Sequence, residues 1–209
     1  REIQVTFYDI MHGGLLSGQN RLPEWIREFA QPREILEIGC RTGTNLTLLA
    51  KAFPEAKLTG VDTSSALLSK ARQRLGCEIE ERTNLLKVSA DEPFCQNNDQ
   101  FDLILCSYSL SKMGPLRYQC IQDARAHLKP DGHLLVLDFL DTPFRWFRHW
   151  IHTNHFTLDP KLLAACVCEH PPLMFQKHRA YFGLYTYFIF VGSKSLPRRV
   201  KENPWSDPE

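Results

Sequence analysis

The stretch Glu34-Ile35-Leu36-Glu37-Ile38-Gly39-Cys40-Arg41-Thr42-Gly43 runs an apolar strand-like segment straight into a glycine-bearing bend. Glu34 to Ile38 reads as a buried strand. Thr44 to Phe53, with Leu46, Leu49 and Ala50 at helical spacing, reads as the helix that follows. Asp62 then closes a second apolar run, Leu58 to Asp62, 19 residues after Gly43. This layout suits a nucleoside-containing ligand: glycines let the backbone come close, exposed N–H groups point at the ligand, and an acid accepts from ribose hydroxyls. A dinucleotide fits poorly, because the second and third glycines of Gly-x-Gly-x-x-Gly would fall on Arg41 and Thr44. A P-loop is excluded, since the Gly-Lys-Ser/Thr ending is missing.

Downstream, the same alternation continues. Ser64 caps a helix to about Leu75, Glu80 to Val88 holds a third strand, and Phe101 to Cys106 is a continuous apolar run of the kind buried on both faces of a parallel sheet. A helix over Leu116 to Leu128, a Lys129-Pro130-Asp131-Gly132 turn and a strand from His133 to Phe139 complete the repeat. An aromatic and basic insertion, Asp141 to His155, precedes a helix over Pro160 to Cys168. Met174 to Tyr181 and Leu184 to Gly192 suit an antiparallel hairpin at the sheet edge. The expectation is one α/β domain over residues 1–195, a doubly wound, seven-stranded, mostly parallel sheet with an antiparallel last strand. Residues 1–31 are a lid segment and residues 196–209 a tail.

Composition narrows the function classes. Among 209 residues, 25 Lys plus Arg face 24 Asp plus Glu, so no nucleic-acid partner is expected, because phosphate neutralisation needs a basic excess on one face. Eleven Gly and thirteen Pro leave no room for a collagen-like or extensively disordered chain. The run from Tyr181 to Gly192, broken by Gly183 and Thr186, is too short to span a bilayer as a helix. Arg1 to Val5 lacks the features of a secretory signal. Seven scattered cysteines, an odd number, read as reduced thiols in a cytoplasmic protein.

Glu37 to Gly43 resembles the first motif, E/D-x-G-x-G-x-G, of the class I S-adenosylmethionine-dependent methyltransferases. Asp62 looks like their ribose-binding acid, and Ala90-Asp91 before Glu92-Pro93-Phe94 looks like their adenine-contacting segment. Leu128 to Gly132 looks like their turn before strand five. The resemblance implies a Rossmann-like methyltransferase fold with S-adenosyl-L-methionine as cofactor; Arg41 departs from it by replacing the middle glycine. A closer resemblance, to the betaine-lipid synthase methyltransferase, is carried by Tyr8-Asp9 with Gly18, Arg21 and Leu22, by Ser107 to Ser111, and by Asp138-Phe139 and His155-Phe156. It implies an amine acceptor on a lipid-like molecule. His12-Gly13-Gly14 departs from that family's basic N-terminal stretch.

Methyl transfer from a sulfonium needs alignment and water exclusion more than acid–base machinery. An amine acceptor must arrive unprotonated, and its cationic product suits aromatic faces. Tyr108, Tyr8 and His12 are the candidate catalytic residues. Glu37, Gly39, Cys40, Arg41, Gly43, Asp62, Thr63, Ala90, Asp91, Cys106 and Ser107 are the candidate cofactor-binding residues, with Glu37 organising the loop. His149, His152 and His155 do not suggest a metal, for lack of a completing carboxylate or thiolate. Residues 144–151 present Phe144, Trp146, Phe147 and Trp150 with Arg145 and Arg148, which reads either as a peripheral membrane contact or as a lid packed on the domain. Two other readings remain: a quinone or other carbon or oxygen acceptor, and a non-catalytic S-adenosylmethionine-binding regulator. An RNA methyltransferase ranks behind both, because it would need a basic groove.

Overall fold

A computed structural model describes residues 16–89, 94 and 100–195. The strands are β1 (Glu34–Ile38), β2 (Lys57–Asp62), β3 (Thr83–Lys87), β4 (Phe101–Ser107), β5 (Leu128–Asp141), β6 (Pro172–Ala180) and β7 (Tyr185–Ser193). They form one sheet in the order β3-β2-β1-β4-β5-β7-β6. β1 pairs in parallel with β2 and β4, whereas β7 runs antiparallel between β5 and β6. The expected antiparallel last strand is therefore present, inserted between β5 and its hairpin partner β6.

The apolar runs split by period two onto two cores. Leu103 and Leu105 of β4 pack on one face, Ile104 and Cys106 on the other. The first face is covered by α1 (Leu22–Phe29), α2 (Thr44–Ala52), α3 (Ser65–Glu80) and α5 (Arg145–Thr153), through Trp25, Leu49, Leu68 and Phe147 among others. The second face is covered by α4 (Leu116–His127) and α6 (Leu162–Glu169), through Ile121 and Cys166. Coverage on both sides explains why these strands read as unbroken hydrophobic runs.

Element boundaries differ from expectation where local chemistry is unusual. α3 continues past Leu75 to Glu80, broken at Gly76, whose φ of 68° leaves the helical region. Lys129 to Gly132, expected as a turn ahead of the strand, lies inside β5. There Leu128 pairs with Phe101 and His133 with Leu103, so the turn-forming residues make a register shift and leave the strand continuous.

The chain runs outward from β1 to β3 and returns to β4 on the other side of β1. The carboxyl ends of β1 and β4 thus flank a topological switch point, where open α/β sheets hold ligands.

Candidate functional site

The bend after β1 is held by backbone hydrogen bonds. The N–H groups of Gly39 and Cys40 both donate to the Val61 carbonyl, at 2.9 and 3.0 Å, and Gly43 N–H donates to the Cys40 carbonyl at 2.9 Å. Gly39 sits at φ 77°, and a Cβ added there would stand 2.7 Å from the Ser109 Cβ, so glycine is required both by conformation and by the close approach of the segment after β4. Arg41 adopts φ 52°, a left-handed conformation that costs a non-glycine residue about 1–3 kcal/mol. Asp62 offsets part of that cost: its Oδ2 accepts the Arg41 N–H at 2.9 Å, while its Oδ1 accepts the Ser64 N–H at 2.9 Å. The replacement of the family's middle glycine by Arg41 is accommodated without loss of the bend.

Glu37 lies beneath this loop, fully buried, with Oε1 accepting from Asn45 Nδ2 at 2.7 Å. Burial pushes its carboxyl up to about 8, against smaller opposing effects from the Asn45 hydrogen bond and the Arg41 charge. Burial thus favours its protonated form, and its hydrogen bond with Asn45 ties β1 to α2.

The loop opens on a cleft of about 600 Å³. Of the residues singled out in the sequence, Gly39, Arg41, Asp62, Thr63 and Tyr108 line it. The others border it from within the fold. Cys40 is buried with its sulfur against Gly60, and Gly43 packs on Ala71. Cys106 is buried beside Cys120, which raises its thiol pKa together with desolvation. Ser107 Oγ accepts from Gln19 Nε2 at 3.1 Å. Tyr8, His12, Ala90 and Asp91 lie outside the described residues. His149, His152 and His155 are exposed along and just beyond α5.

Tyr108 occupies a strained position at φ 50°. Its N–H donates to the Leu137 carbonyl at 2.7 Å and its ring meets Phe139 edge-on at 4.8 Å. Its hydroxyl donates to the Ser17 carbonyl at 2.8 Å, and Tyr185 accepts the Ser17 N–H at 2.9 Å, so two tyrosines fasten the segment ahead of α1. Burial raises the Tyr108 pKa and keeps that hydroxyl protonated.

The opposite wall went unread in the sequence. Leu116, Gln119, Cys120 and Asp123 line the cleft from one face of α4, at the i, i+3, i+4, i+7 spacing that could have identified them. Ser109, Lys112 and Met113 join them from the turn after β4. Lys112 places its ammonium 4.3 Å from the centre of the Phe156 ring. Burial, reinforced by repulsion from Arg41 and opposed by Asp62, pulls its pKa down to about 7.

These features fit an adenosine sulfonium. A glycine cradle that a Cβ would fill lies beside a carboxylate that retains acceptor lone pairs after its two backbone contacts, and an apolar wall formed by Ile38, Val61, Leu67, Val88 and Phe94 stands next to both.

Residues 36–134 match the model of a methyltransferase domain family. The chain is similar to a malonyl-acyl-carrier-protein O-methyltransferase of Priestia megaterium, with 34% identity over 117 residues, 56% of this chain and 40% of the relative. It is also similar to a trans-aconitate 2-methyltransferase of Delftia acidovorans, with 34% identity over 107 residues, 51% of this chain and 38% of the relative. The chain thus spans about two-fifths of the length of either relative. Among solved structures, the 4+2 cyclase SpnF superimposes with a TM-score of 0.69 at 18% identity, over 85% of this chain and 82% of that one. That a cyclase shares the fold shows that the fold alone does not fix the reaction.

Proposed function

We propose that this chain is a class I S-adenosylmethionine-dependent methyltransferase that transfers a methyl group to an amphipathic or lipid-like small-molecule acceptor, in the first reading to an amine. The observation that carries this reading is the cleft itself. The Gly39 bend and Asp62 share the cleft with apolar side chains, Phe94 beside them and Met113 and Leu116 on the opposite wall, so a polar donor and an apolar acceptor can meet in a partly apolar space. When bound, the cofactor supplies an electrophilic methyl group. Gly39, Arg41, Asp62 and Thr63 would hold it, and Ala90 and Asp91 would contact its adenine. Tyr108 orders the segment ahead of α1; Tyr8 would fold over the cofactor from the N-terminal segment, and His12 would be a candidate base for the acceptor.

The aromatic and basic stretch 144–151 supports a peripheral membrane contact. Phe147 and Ile151 pack inward, whereas Phe144 and Trp146 are 43% and 62% exposed on either side of Arg145. No helix among the described residues is long and apolar enough to cross a membrane.

A second reading places the methyl group on a carboxylate oxygen; it is favoured by the relatives, which are named for malonyl-acyl-carrier protein and for trans-aconitate, both carboxyl-bearing. Incubating lipid and small-molecule extracts with the protein and isotopically labelled donor tests both. Label in a quaternary-ammonium lipid is the expected result, label in a base-labile methyl ester supports the second reading, and cofactor binding with no labelled product in any extract overturns both in favour of a regulator.

A further inference from the structure

We propose that the tip of the β6–β7 hairpin and the amino end of α5 form one docking surface for an anionic lipid bilayer, with Phe182 as the side chain that enters the apolar layer. The proposal rests on the peripheral contact read above for residues 144–151 and adds to it a second element from a distant part of the chain.

The hairpin tip is built in an unfavourable conformation. The Leu184 N–H donates to the Tyr181 carbonyl at 3.1 Å, closing a turn whose central residues, Phe182 and Gly183, take φ 56° and 92°. Such a turn prefers Asn or Asp ahead of the glycine. Tyr181 adds a φ of 50°, so two consecutive aromatic residues hold a left-handed backbone that bulky side chains rarely adopt. Burial does not account for the phenylalanine, because Phe182 is fully exposed. Strain kept at such a position is characteristic of segments that contact a ligand.

The tip and α5 are fastened into one unit. Thr142, just ahead of α5, donates its hydroxyl to the Leu184 carbonyl at 2.7 Å, and Thr186 donates its own to the Asp141 carbonyl at 3.1 Å. The rings form a continuous series: Tyr181 lies 6.1 Å from Tyr185, Tyr185 stacks on Phe147 at 5.7 Å, and Phe147 meets Trp146 at 5.5 Å. Phe147 and Tyr185 are the buried floor of this cluster, whereas Tyr181, Phe182, Phe144 and Trp146 stand exposed. Contiguous exposed apolar side chains mark an interaction site, and Trp and Tyr suit the boundary between headgroups and acyl chains. Tyr185 also meets Phe139 at 5.1 Å, and Phe139 meets Tyr108 of the cleft at 4.8 Å, so the surface shares its floor with the wall of the cleft.

Charge decides the occupant. The sequence holds no Asp or Glu from Thr142 to Leu158 or from His170 to Ser195, so the two segments that build this surface are purely basic in a chain that is near neutral as a whole. Arg145, Lys177 and Arg179 are exposed on them, and Asp141, which borders the first segment, is paired with Arg148 at 2.6 Å. Apolar rings that insert and cations that attract headgroups are the two contributions that hold a protein on an anionic bilayer. A second copy of the chain would instead set these cations against their own equivalents across a two-fold axis.

The test is co-sedimentation of the full chain with vesicles of phosphatidylcholine alone and of phosphatidylcholine mixed with phosphatidylserine. The wild type should sediment with the mixed vesicles and much less with the neutral ones. Phe182→Asn removes the ring and supplies a residue that accepts a left-handed backbone, so its thermal midpoint should be no lower than that of the wild type. Its partition onto mixed vesicles should nevertheless fall at least about fivefold. In a Trp146→Phe background, the indole introduced by Phe182→Trp should be quenched by mixed vesicles whose acyl chains are brominated. The proposal is overturned if the wild type does not sediment with mixed vesicles, if F182N sediments as the wild type does, or if that indole is not quenched. Loss of sedimentation in Trp146→Ala with none in F182N would overturn the part of the hairpin and leave the contact through residues 144–151 standing. Self-association of the wild type that F182N abolishes, without vesicle binding, would overturn the proposal in favour of a second copy. Vesicle binding by a chain that fails to bind S-adenosylhomocysteine would support this surface and overturn the methyl-transfer reading instead.

Discussion

The two walls of the cleft are built by different physics. The wall from β1 and β2 works through backbone: Gly39, Arg41 and Gly43 take positive φ values, and their N–H groups donate to Val61, Asp62 and Cys40 respectively. The opposite wall works through side chains, with Lys112, Met113, Leu116 and Gln119 converging from a turn and a helix. Backbone recognition demands particular residues at fixed spacing, whereas side-chain recognition can be rebuilt from many. The first wall should therefore tolerate substitution badly and the second should tune specificity.

Gly39→Ala should break the first wall most severely. A Cβ there meets Ser109 at 2.7 Å in addition to the strain of φ 77°, so nucleoside affinity should fall at least a hundredfold by calorimetry. Gly76→Ala is the control: its φ is 68° but nothing lies within 4 Å, so it should cost only about 1 kcal/mol in denaturant unfolding and leave binding unchanged. Equal effects from the two would show that the close approach is unimportant.

Asp62→Asn should come next. One of the Arg41 and Ser64 N–H groups would face an amide NH2 in place of a carboxylate oxygen, costing about 1–3 kcal/mol of stability and weakening nucleoside binding by at least tenfold.

The walls should also respond oppositely to pH. The Glu37 carboxyl is raised from 4.5 to about 8, so the folded chain holds a proton that the unfolded chain releases, and stability should fall as pH rises from about 4.5 to about 8. Subtracting the unfolding profile of Glu37→Gln isolates that slope. Lys112 is lowered from 10.5 to about 7, so its contribution has the reverse sign: stability rises between about pH 7 and 10.5, and Lys112→Met should flatten that limb. Slopes of the same sign in the two difference profiles would contradict this assignment.

The smallest stability effect belongs to Trp146→Ala on the exposed side of α5. At 62% exposure it should change stability by less than about 0.5 kcal/mol, yet reduce co-sedimentation with anionic phospholipid vesicles several-fold. Unchanged sedimentation would remove the membrane contact.

The same contrast explains what was legible in the sequence. β1, β2 and β4 announced themselves because burial on both faces makes their runs predominantly apolar, and Gly39 and Asp62 because backbone geometry admits few residue types. The seven-stranded, mostly parallel sheet was legible from the alternation of strands with helices and the edge hairpin from the turn around Gly183, whereas the insertion of β7 between β5 and β6 was not. Lys112 was not legible. Its significance arises from Asp138, Phe156 and Thr157, residues 26 to 45 positions away that meet it only in the folded chain. Tyr108 was found for its position after β4, but its partner Ser17, 91 residues away, was not. Local strain was equally hidden, since nothing in the composition of Glu37 to Gly43 says that Arg41 takes φ 52° on the strength of a hydrogen bond to Asp62.

The most direct measurement is a crystal structure of the protein soaked with S-adenosylhomocysteine at saturating concentration. The expected result is ligand density along the Gly39 bend with ribose hydroxyls within hydrogen-bond distance of the Asp62 carboxylate. An empty cleft, or a nucleoside bound elsewhere, would contradict the central claim that this bend and this acid together hold the methyl donor.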